Sequence, residues 1–193
     1  IKKNVDKYVS IEELYSRIAE GAFISFAQNN EDVILERIFS GKNKGFYLDV
    51  GCYHPVIKST TCHLHLKGWN GINIDVSKEN IERFNSFRPD DININSLIGS
   101  ENEIVEVFML EGTTRSTKNE ELGLSYINSG KDVLKTTKEQ KSLNSILEEF
   151  KEIPKIDFLS IDVEGAEFDV LKGLNLKKFR PKVILAESIF QDI

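Results

Sequence analysis

Asp49 and Gly51 stand in Leu48-Asp49-Val50-Gly51-Cys52-Tyr53-His54-Pro55, an acid and a glycine at the end of a short apolar run. The chain must turn tightly there, and a glycine lets the backbone approach a ligand closely. Asp75 closes the next apolar run, Asn73-Ile74-Asp75. It lies at the spacing where an acid in an alternating α/β chain accepts hydrogen bonds from ribose hydroxyls, and a carboxylate suits a vicinal diol. The dinucleotide fingerprint G-x-G-x-x-G is absent and no P-loop is present, so the turn offers no glycine-rich cradle for a pyrophosphate. Asp49, Gly51 and Asp75 together fit an adenosyl ligand without phosphates, for which S-adenosylmethionine is a better match than NAD.

A second set of acids follows a later apolar run, in Ile161-Asp162-Val163-Glu164-Gly165. Asp162 and Glu164 are the foremost catalytic candidates. Methyl transfer to a hydroxyl needs an acceptor oxygen aligned with the methyl group and a base that removes the proton as the bond forms. His54, whose ring titrates ordinarily near ~6.5, is a further candidate base, weighed evenly against a plain loop histidine. Glu187 follows the last apolar run, beside the strand that ends in Asp162. Asp162 and Glu187 could therefore converge with Glu164 or His54 on a hard divalent metal. The alternative is Glu187 as a hydrogen-bond acceptor or base.

These residues require strands that end behind them. Phe46 to Val50 and Gly71 to Ile74 read as short apolar strands, Ile156 to Ile161 as a buried strand and Val183 to Ala186 as a last strand, with Ile92 to Ile98 and Ile104 to Leu110 as further extended pieces. Helical stretches fall between them: Thr60 to Leu66, a Ser77-capped helix to about Ser86, Ser142 to about Phe150, and Phe168 to Leu174. Near the start, Ser10-Ile11-Glu12-Glu13 is a capping box for a short helix ending at Gly21. A second helix begins near Asn30, with Val33, Ile34, Ile38 and Phe39 as its inward face. Glu111 to Gln140 is polar and longer than an ordinary connection, and reads as a functional lid or a partly disordered stretch, the lid being favoured. Within it Arg115 could meet the phosphate of a nucleotide sugar, against the plainer expectation of a solvated loop. Trp69 reads as packing. The alternation predicts an α/β fold: a mostly parallel sheet with helices on both faces and ligands at the carboxyl ends of the strands. Residues 1–40 are expected to form a helical segment packed on one catalytic domain over residues 41–193.

The composition, 40% apolar and 29% charged over 193 residues, suits one globular domain. A net charge of -6 argues against a nucleic-acid surface, since phosphate binding is driven by excess Lys and Arg. Cys52 and Cys62 are too few for a disulfide framework, so free thiols and a reducing, cytoplasmic setting are expected. No apolar stretch is long enough to span a bilayer.

Four ordered blocks carry a family resemblance: Ser25-Phe26-Ala27-Gln28-Asn29-Asn30-Glu31-Asp32, Gly45-Phe46-Tyr47-Leu48-Asp49-Val50-Gly51, Lys67-Gly68-Trp69-Asn70-Gly71-Ile72-Asn73-Ile74-Asp75, and Ile156 through Glu167 with Asp162-Val163-Glu164-Gly165-Ala166-Glu167 at its end. On these the chain resembles the FkbM family of S-adenosylmethionine-dependent methyltransferases, from Ser25 to Glu187. The resemblance implies a class I methyltransferase (Rossmann-like) fold, here with an N-terminal helical extension. It also implies O-methylation, often of sugar hydroxyls in polysaccharides, glycolipids or secondary metabolites, with a sugar or nucleotide sugar as the small-molecule acceptor. Carried over by position, Gln28 and Glu31 border the cofactor pocket, Asp49 and Gly51 line its methionine side, Asp75 holds the ribose, and Asn95 sits near the adenine. The chain departs from the commoner pattern in having Asp75 where many relatives carry Glu. The family fold normally continues with two further strands and a helix, so the sheet is expected to be truncated at its C-terminal strands and the sequence to be part of a longer protein. The competing expectations are a noncatalytic adenosyl-binding module, a methyltransferase of a non-sugar small molecule, and an NAD-type oxidoreductase, the last disfavoured by the missing fingerprint. The oligomeric state stays open.

Overall fold

Apolar runs only a few residues long, buried on both sides, pair in parallel and form the centre of the molecule. The structure, a computed structural model, describes residues 23–110, 113 and 115–187. The helix expected from Ser10 to Gly21 lies outside them. In chain order the elements are α1 (Glu31–Ile38), β1 (Phe46–Val50), α2 (Cys62–Leu66), β2 (Asn70–Asp75), α3 (Lys78–Phe87), β3 (Ile92–Asn95), β4 (Leu97–Gly99), β5 (Glu103–Leu110), β6 (Ser116–Thr117), α4 (Glu120–Asn128), β7 (Val133–Ser142), α5 (Leu143–Glu148), β8 (Phe158–Ile161), α6 (Glu167–Lys172) and β9 (Val183–Ala186). Among the described residues no helix is long and apolar enough to cross a membrane.

Five of the strands make an all-parallel sheet in the order β3-β2-β1-β8-β9. Side chains alternate across it. Leu48, Val50, Ile72, Ile74, Leu159 and Ile161 pack with Leu143, Ile146 and Leu147 of α5 and Val170 of α6. Tyr47 and Phe158 on the opposite face meet Leu35 and Phe39 at α1, Leu64 of α2 and Trp69. Helices therefore cover both faces, as expected. Strand order reverses between β1 and β8, and the loops leaving those two strands diverge, opening a crevice at their carboxyl ends.

Three expectations need correction. Ile92 to Ile98 is not one strand: the chain leaves the parallel sheet at Ser96, whose N–H donates to the Asp75 carbonyl at 3.0 Å, and enters a second sheet at β4. That sheet has the order β4-β7-β5-β6, and the extended piece read at Ile104 to Leu110 lies within its β5. Glu111 to Gln140 is correspondingly no free-standing lid. Most of its described residues are β6, α4 and β7, and β7 runs antiparallel to β5 in continuous register from Val133 opposite Leu110 to Gln140 opposite Glu103. Helix α4 sits down on this sheet at Gly123, where a Cβ would meet the Phe108 ring at 2.3 Å. The inward face of α1 also differs. Asp32, Leu35 and Phe39 are buried, whereas Ile34 and Ile38 are 59% and 52% exposed. The rotation follows from Asp32, whose carboxylate accepts hydrogen bonds from Ser25 Oγ (2.6 Å), Phe26 N (2.6 Å) and Ala27 N (3.3 Å) and so must point inward.

Candidate active site

The ends of β1 and β8 form the floor of a cavity of about 510 Å³, a size suited to one small organic ligand. Gly51 makes that floor possible. It has φ +79°, and a Cβ on it would stand 1.7 Å from the Asp162 carbonyl oxygen. The turn is then clamped from both neighbours, since Gly51 N and Cys52 N donate to the Ile74 carbonyl at 2.8 and 3.2 Å and Asp162 N donates to the Val50 carbonyl at 2.9 Å.

Asp49, Gly51 and Asp75 all line the cavity. Asp49 is buried and accepts a hydrogen bond from Thr61 Oγ1 at 2.7 Å. Burial pushes its carboxyl up to about 6, against the opposing pull of that hydrogen bond and of the Arg88 cation. Asp75 ties two loops together: Oδ2 accepts from Tyr53 N at 2.9 Å and Oδ1 from Ser77 N at 2.7 Å. Burial raises its carboxyl, and these two N–H groups counter the rise. Gln28 and Glu31 also line the cavity, and the Glu31 carboxylate accepts from Asn29 N (2.8 Å) and Nδ2 (3.1 Å).

Two expected residues do not join the group. Asn95 donates through Nδ2 to the Asp75 carbonyl at 2.9 Å, and Ser96, Leu97 and Ile98 line the cavity in its stead. His54 is absent from the lining, and its Nδ1 accepts the N–H groups of Val56 and Ile57, each at 3.0 Å. Burial and the nearby Arg83 and Arg88 cations push the ring below its ordinary value. It is a neutral staple of the loop after β1.

The acids beyond β8 and β9 do converge. Asp162, Glu164 and Glu187 line the cavity, and carboxylate oxygens of Asp162, Glu167 and Glu187 lie within 4.8 Å of one another. Asp162 and Glu187 both reach solvent at the cavity mouth, where partial desolvation, a hydrogen bond with Glu187 and the repulsion of the surrounding acids push the Asp162 carboxyl up to about 8. Asp162 therefore keeps its proton to higher pH than an ordinary carboxyl, with the Glu187 carboxylate beside it. Glu167 serves the backbone instead. Its Oε1 accepts from Val163 N and Gly165 N, both at 3.0 Å, and holds the turn that presents Asp162 and Glu164. Glu164 itself has φ +53°, and its carbonyl accepts from Thr117 Oγ1 at 2.7 Å. Burial raises its carboxyl, while Arg115, with Nε 3.5 Å away, opposes the rise. The second sheet therefore supplies one wall, through Arg115, Ser116, Thr117 and Lys118.

Sequence reasoning does not single out Glu167, Thr61, Asp32 or Arg88. Arg88 has a legible signal. It falls in helical register with the buried Ile81 and Phe84, a core position carrying a cation. Glu167, following Gly165-Ala166, has only the general tendency of acids to cap a helix start.

The lining carries six acids, Glu31, Asp49, Asp75, Asp162, Glu164 and Glu187, against three cations, Lys58, Arg115 and Lys118. The Lys118 charge is already met by Asp169. Such a cavity favours a cationic ligand over a polyphosphate. Comparison with curated proteins and with solved structures gave no significant match. A family model, Methyltransferase FkbM domain, matches residues 49–192. The match opens on Asp49 and includes Asp75, the Asp162 to Glu167 turn and Glu187, while the Ser25 to Asp32 block precedes it. With well over half of its length matched, the chain belongs to the FkbM methyltransferase domain family, and it is a methyltransferase.

Proposed function

We propose that the protein moves a methyl group from S-adenosylmethionine to a hydroxyl oxygen of a sugar, on a class I, Rossmann-like methyltransferase core. The observation that carries this is the acid-lined cavity at the carboxyl ends of β1, β2 and β8, which has no glycine-rich phosphate cradle. The donor set fits a ligand with an ammonium, a sulfonium and a ribose diol. When bound, the cofactor supplies a methyl group on a positively charged sulfur. Asp75 holds the diol: its bonds to Tyr53 N and Ser77 N fix its direction and leave lone pairs for two hydroxyls. Asp49 and the Gly51 turn receive the methionine part, Gln28 and Glu31 close over it, and the Ser96 to Ile98 segment borders the base.

The acceptor half is built by Asp162, Glu164, Glu187 and Arg115. The Asp162–Glu187 pair takes the proton of the acceptor hydroxyl, for which a carboxyl raised to about 8 is better matched than an ordinary one. Glu164, restrained by Arg115, accepts a hydrogen bond from a neighbouring hydroxyl. A ring bearing several hydroxyls offers donors to these acids. If the sugar is nucleotide-activated, its phosphate belongs at Arg115.

A second reading of the same pair is a divalent cation held by Asp162 and Glu187 with Glu167 as third carboxylate, favoured by the closeness of their oxygens and their hard-ligand character. A noncatalytic adenosyl-binding module is disfavoured by the convergence of Asp162, Glu164 and Glu187 on the cavity beyond the residues assigned to the cofactor.

Calorimetry with S-adenosylhomocysteine, followed by turnover with free and nucleotide-activated sugars, tests the function. S-adenosylhomocysteine should bind, NAD should not, and product should form only with a hydroxylated acceptor. Binding of NAD in its place would overturn the cofactor assignment. Binding without turnover on any acceptor would mean a noncatalytic module.

A further inference from the structure

Arg88 lies at the C-terminal end of α3 and is 1% exposed. A guanidinium taken out of water needs acceptors for its fork of donors and a counter-charge close by. Its acceptors lie on β1 and on the loop that follows. Nη1 donates to the Tyr47 hydroxyl at 3.3 Å and to Thr61 Oγ1 at 2.9 Å. Nη2 donates to Ser59 Oγ at 2.9 Å and to the Pro55 carbonyl. Each counter-charge stands one hydroxyl away: Tyr47 passes a hydrogen bond on to Asp91, and Thr61 passes one on to Asp49. Asp91 is committed to the scaffold, accepting from Gly71 N and Asn73 Nδ2, each at 3.1 Å. Asp49 lines the cavity.

The same loop holds Lys58 at φ +56°, left-handed backbone that a lysine adopts only when its surroundings impose it. Arg88 grips the chain on either side of that residue, at Pro55 and at Ser59. Lys58, Ser59 and Thr60 line the cavity, whereas Arg88 does not.

We propose that Arg88 is a positioning residue for the cofactor half of the site, acting through Thr61 on Asp49 and through Pro55 and Ser59 on the cavity-lining loop. The identity of the ligand rests on the S-adenosylmethionine reading; the restraint on the loop does not. The charged groups around Asp49 are Arg88, Asp75 and Asp91. Arg88 is the cation among them, so its removal drives the Asp49 carboxyl further up and leaves it protonated over more of the neutral range. Lysine keeps the charge but lacks the planar fork needed to hold several acceptors at once.

Arg88→Lys, Arg88→Met and Thr61→Val test this by hydrogen exchange of the amides in residues 53–61 and by calorimetric affinity for S-adenosylhomocysteine across pH. In Arg88→Met the loop amides lose protection while those of β1 and β8 keep it. Its affinity falls about tenfold at neutral pH, the loss expected for a few broken hydrogen bonds, and the midpoint at which binding tightens with rising pH moves upward. Arg88→Lys loosens the loop with a smaller midpoint shift, and Thr61→Val shifts the midpoint with most of the loop protection retained. Should Arg88→Met fail to fold, the other two variants decide. Wild-type loop protection together with a wild-type midpoint in the folded variants would overturn the proposal. A wild-type protein that does not bind S-adenosylhomocysteine overturns the cofactor reading instead, and unchanged loop exchange in Arg88→Lys would then still overturn the restraint.

Discussion

Gly51 and Asp162 meet backbone to backbone: the Asp162 carbonyl oxygen occupies the space that a side chain on Gly51 would need, 1.7 Å from an ideal Cβ. The glycine at the end of β1 is thus required by the neighbouring strand as much as by a ligand. Gly51→Ala should destabilise the protein by more than about 2 kcal/mol, from left-handed strain and the collision together. Denaturant unfolding measures this, and a wild-type midpoint would show that the two loops can separate at little cost.

The raised carboxyl of Asp162 has a calculable effect on stability. A group whose folded value lies above its unfolded one holds its proton longer when folded. Its contribution is therefore whole at low pH and is lost as pH climbs from the ordinary carboxylate range through about 8. Asp162→Asn should flatten the fall in thermal stability across that window. An unchanged slope would mean that the proton resides elsewhere.

Turnover should move the opposite way. If Asp162, beside Glu187, takes the acceptor proton, the wild-type rate rises as pH passes through about 8 and Asp162 loses its own proton. Asp162→Asn should lower kcat by about a hundredfold, within the usual range for a general base, and abolish the rising limb. A rising limb that survived the substitution would assign the base to another group.

Asp75→Asn keeps the shape of the carboxylate but sets an amide NH₂ against Tyr53 N or Ser77 N, both donors. Losing one charge-assisted bond there should weaken S-adenosylhomocysteine binding by roughly ten- to a hundredfold. Calorimetry gives the answer directly, and an affinity within about twofold of wild type would remove Asp75 from the ribose.

Proton and metal at Asp162, Glu167 and Glu187 are separated by chelation. With only a proton on Asp162, turnover survives prolonged chelation; with a cation, it falls and returns on adding Mg²⁺ or Mn²⁺. Since Glu167 Oε1 already accepts two N–H groups, survival is the expected outcome.

How much of this is legible in the sequence follows from what the side chains have to do. Strand β1 is found at Phe46–Val50 as expected, buried throughout, because burial between two helical layers writes itself as an apolar run, and the Ser77 cap accepts from Asn80 N as its residue type foretells. Strand β7, Val-Leu-Lys-Thr-Thr-Lys-Glu-Gln-Lys-Ser, has little side chain to bury. Its partnership with β5 is a matter of backbone hydrogen bonds, which leave no trace in hydropathy, and a polar stretch there looks like a loop. On α1 the apolar pattern favours Ile34 and Ile38, but one buried carboxylate, Asp32, outweighs them in setting the rotation. At the site, Asp49, Asp75 and Asp162 are visible because they sit at the carboxyl ends of strands. His54 and Asn95 end up facing away because adjacent backbone groups claim them first.

The passage of the chain through Ser96 from one sheet to the other divides the protein in a way that matters for its variation. No strand of the second sheet pairs with the parallel sheet among the described residues, yet the second sheet delivers Arg115 to Lys118 to the cavity wall. The strand pairings that shape Asp49, Asp75 and Asp162 lie outside the segment between Ser100 and Ser142, which touches that framework through Thr117 on the Glu164 carbonyl and Lys118 on Asp169. On the proposed assignment, exchanging the outer part of that segment while keeping Thr117 would alter the acceptor side of the cavity and leave the cofactor side as it is.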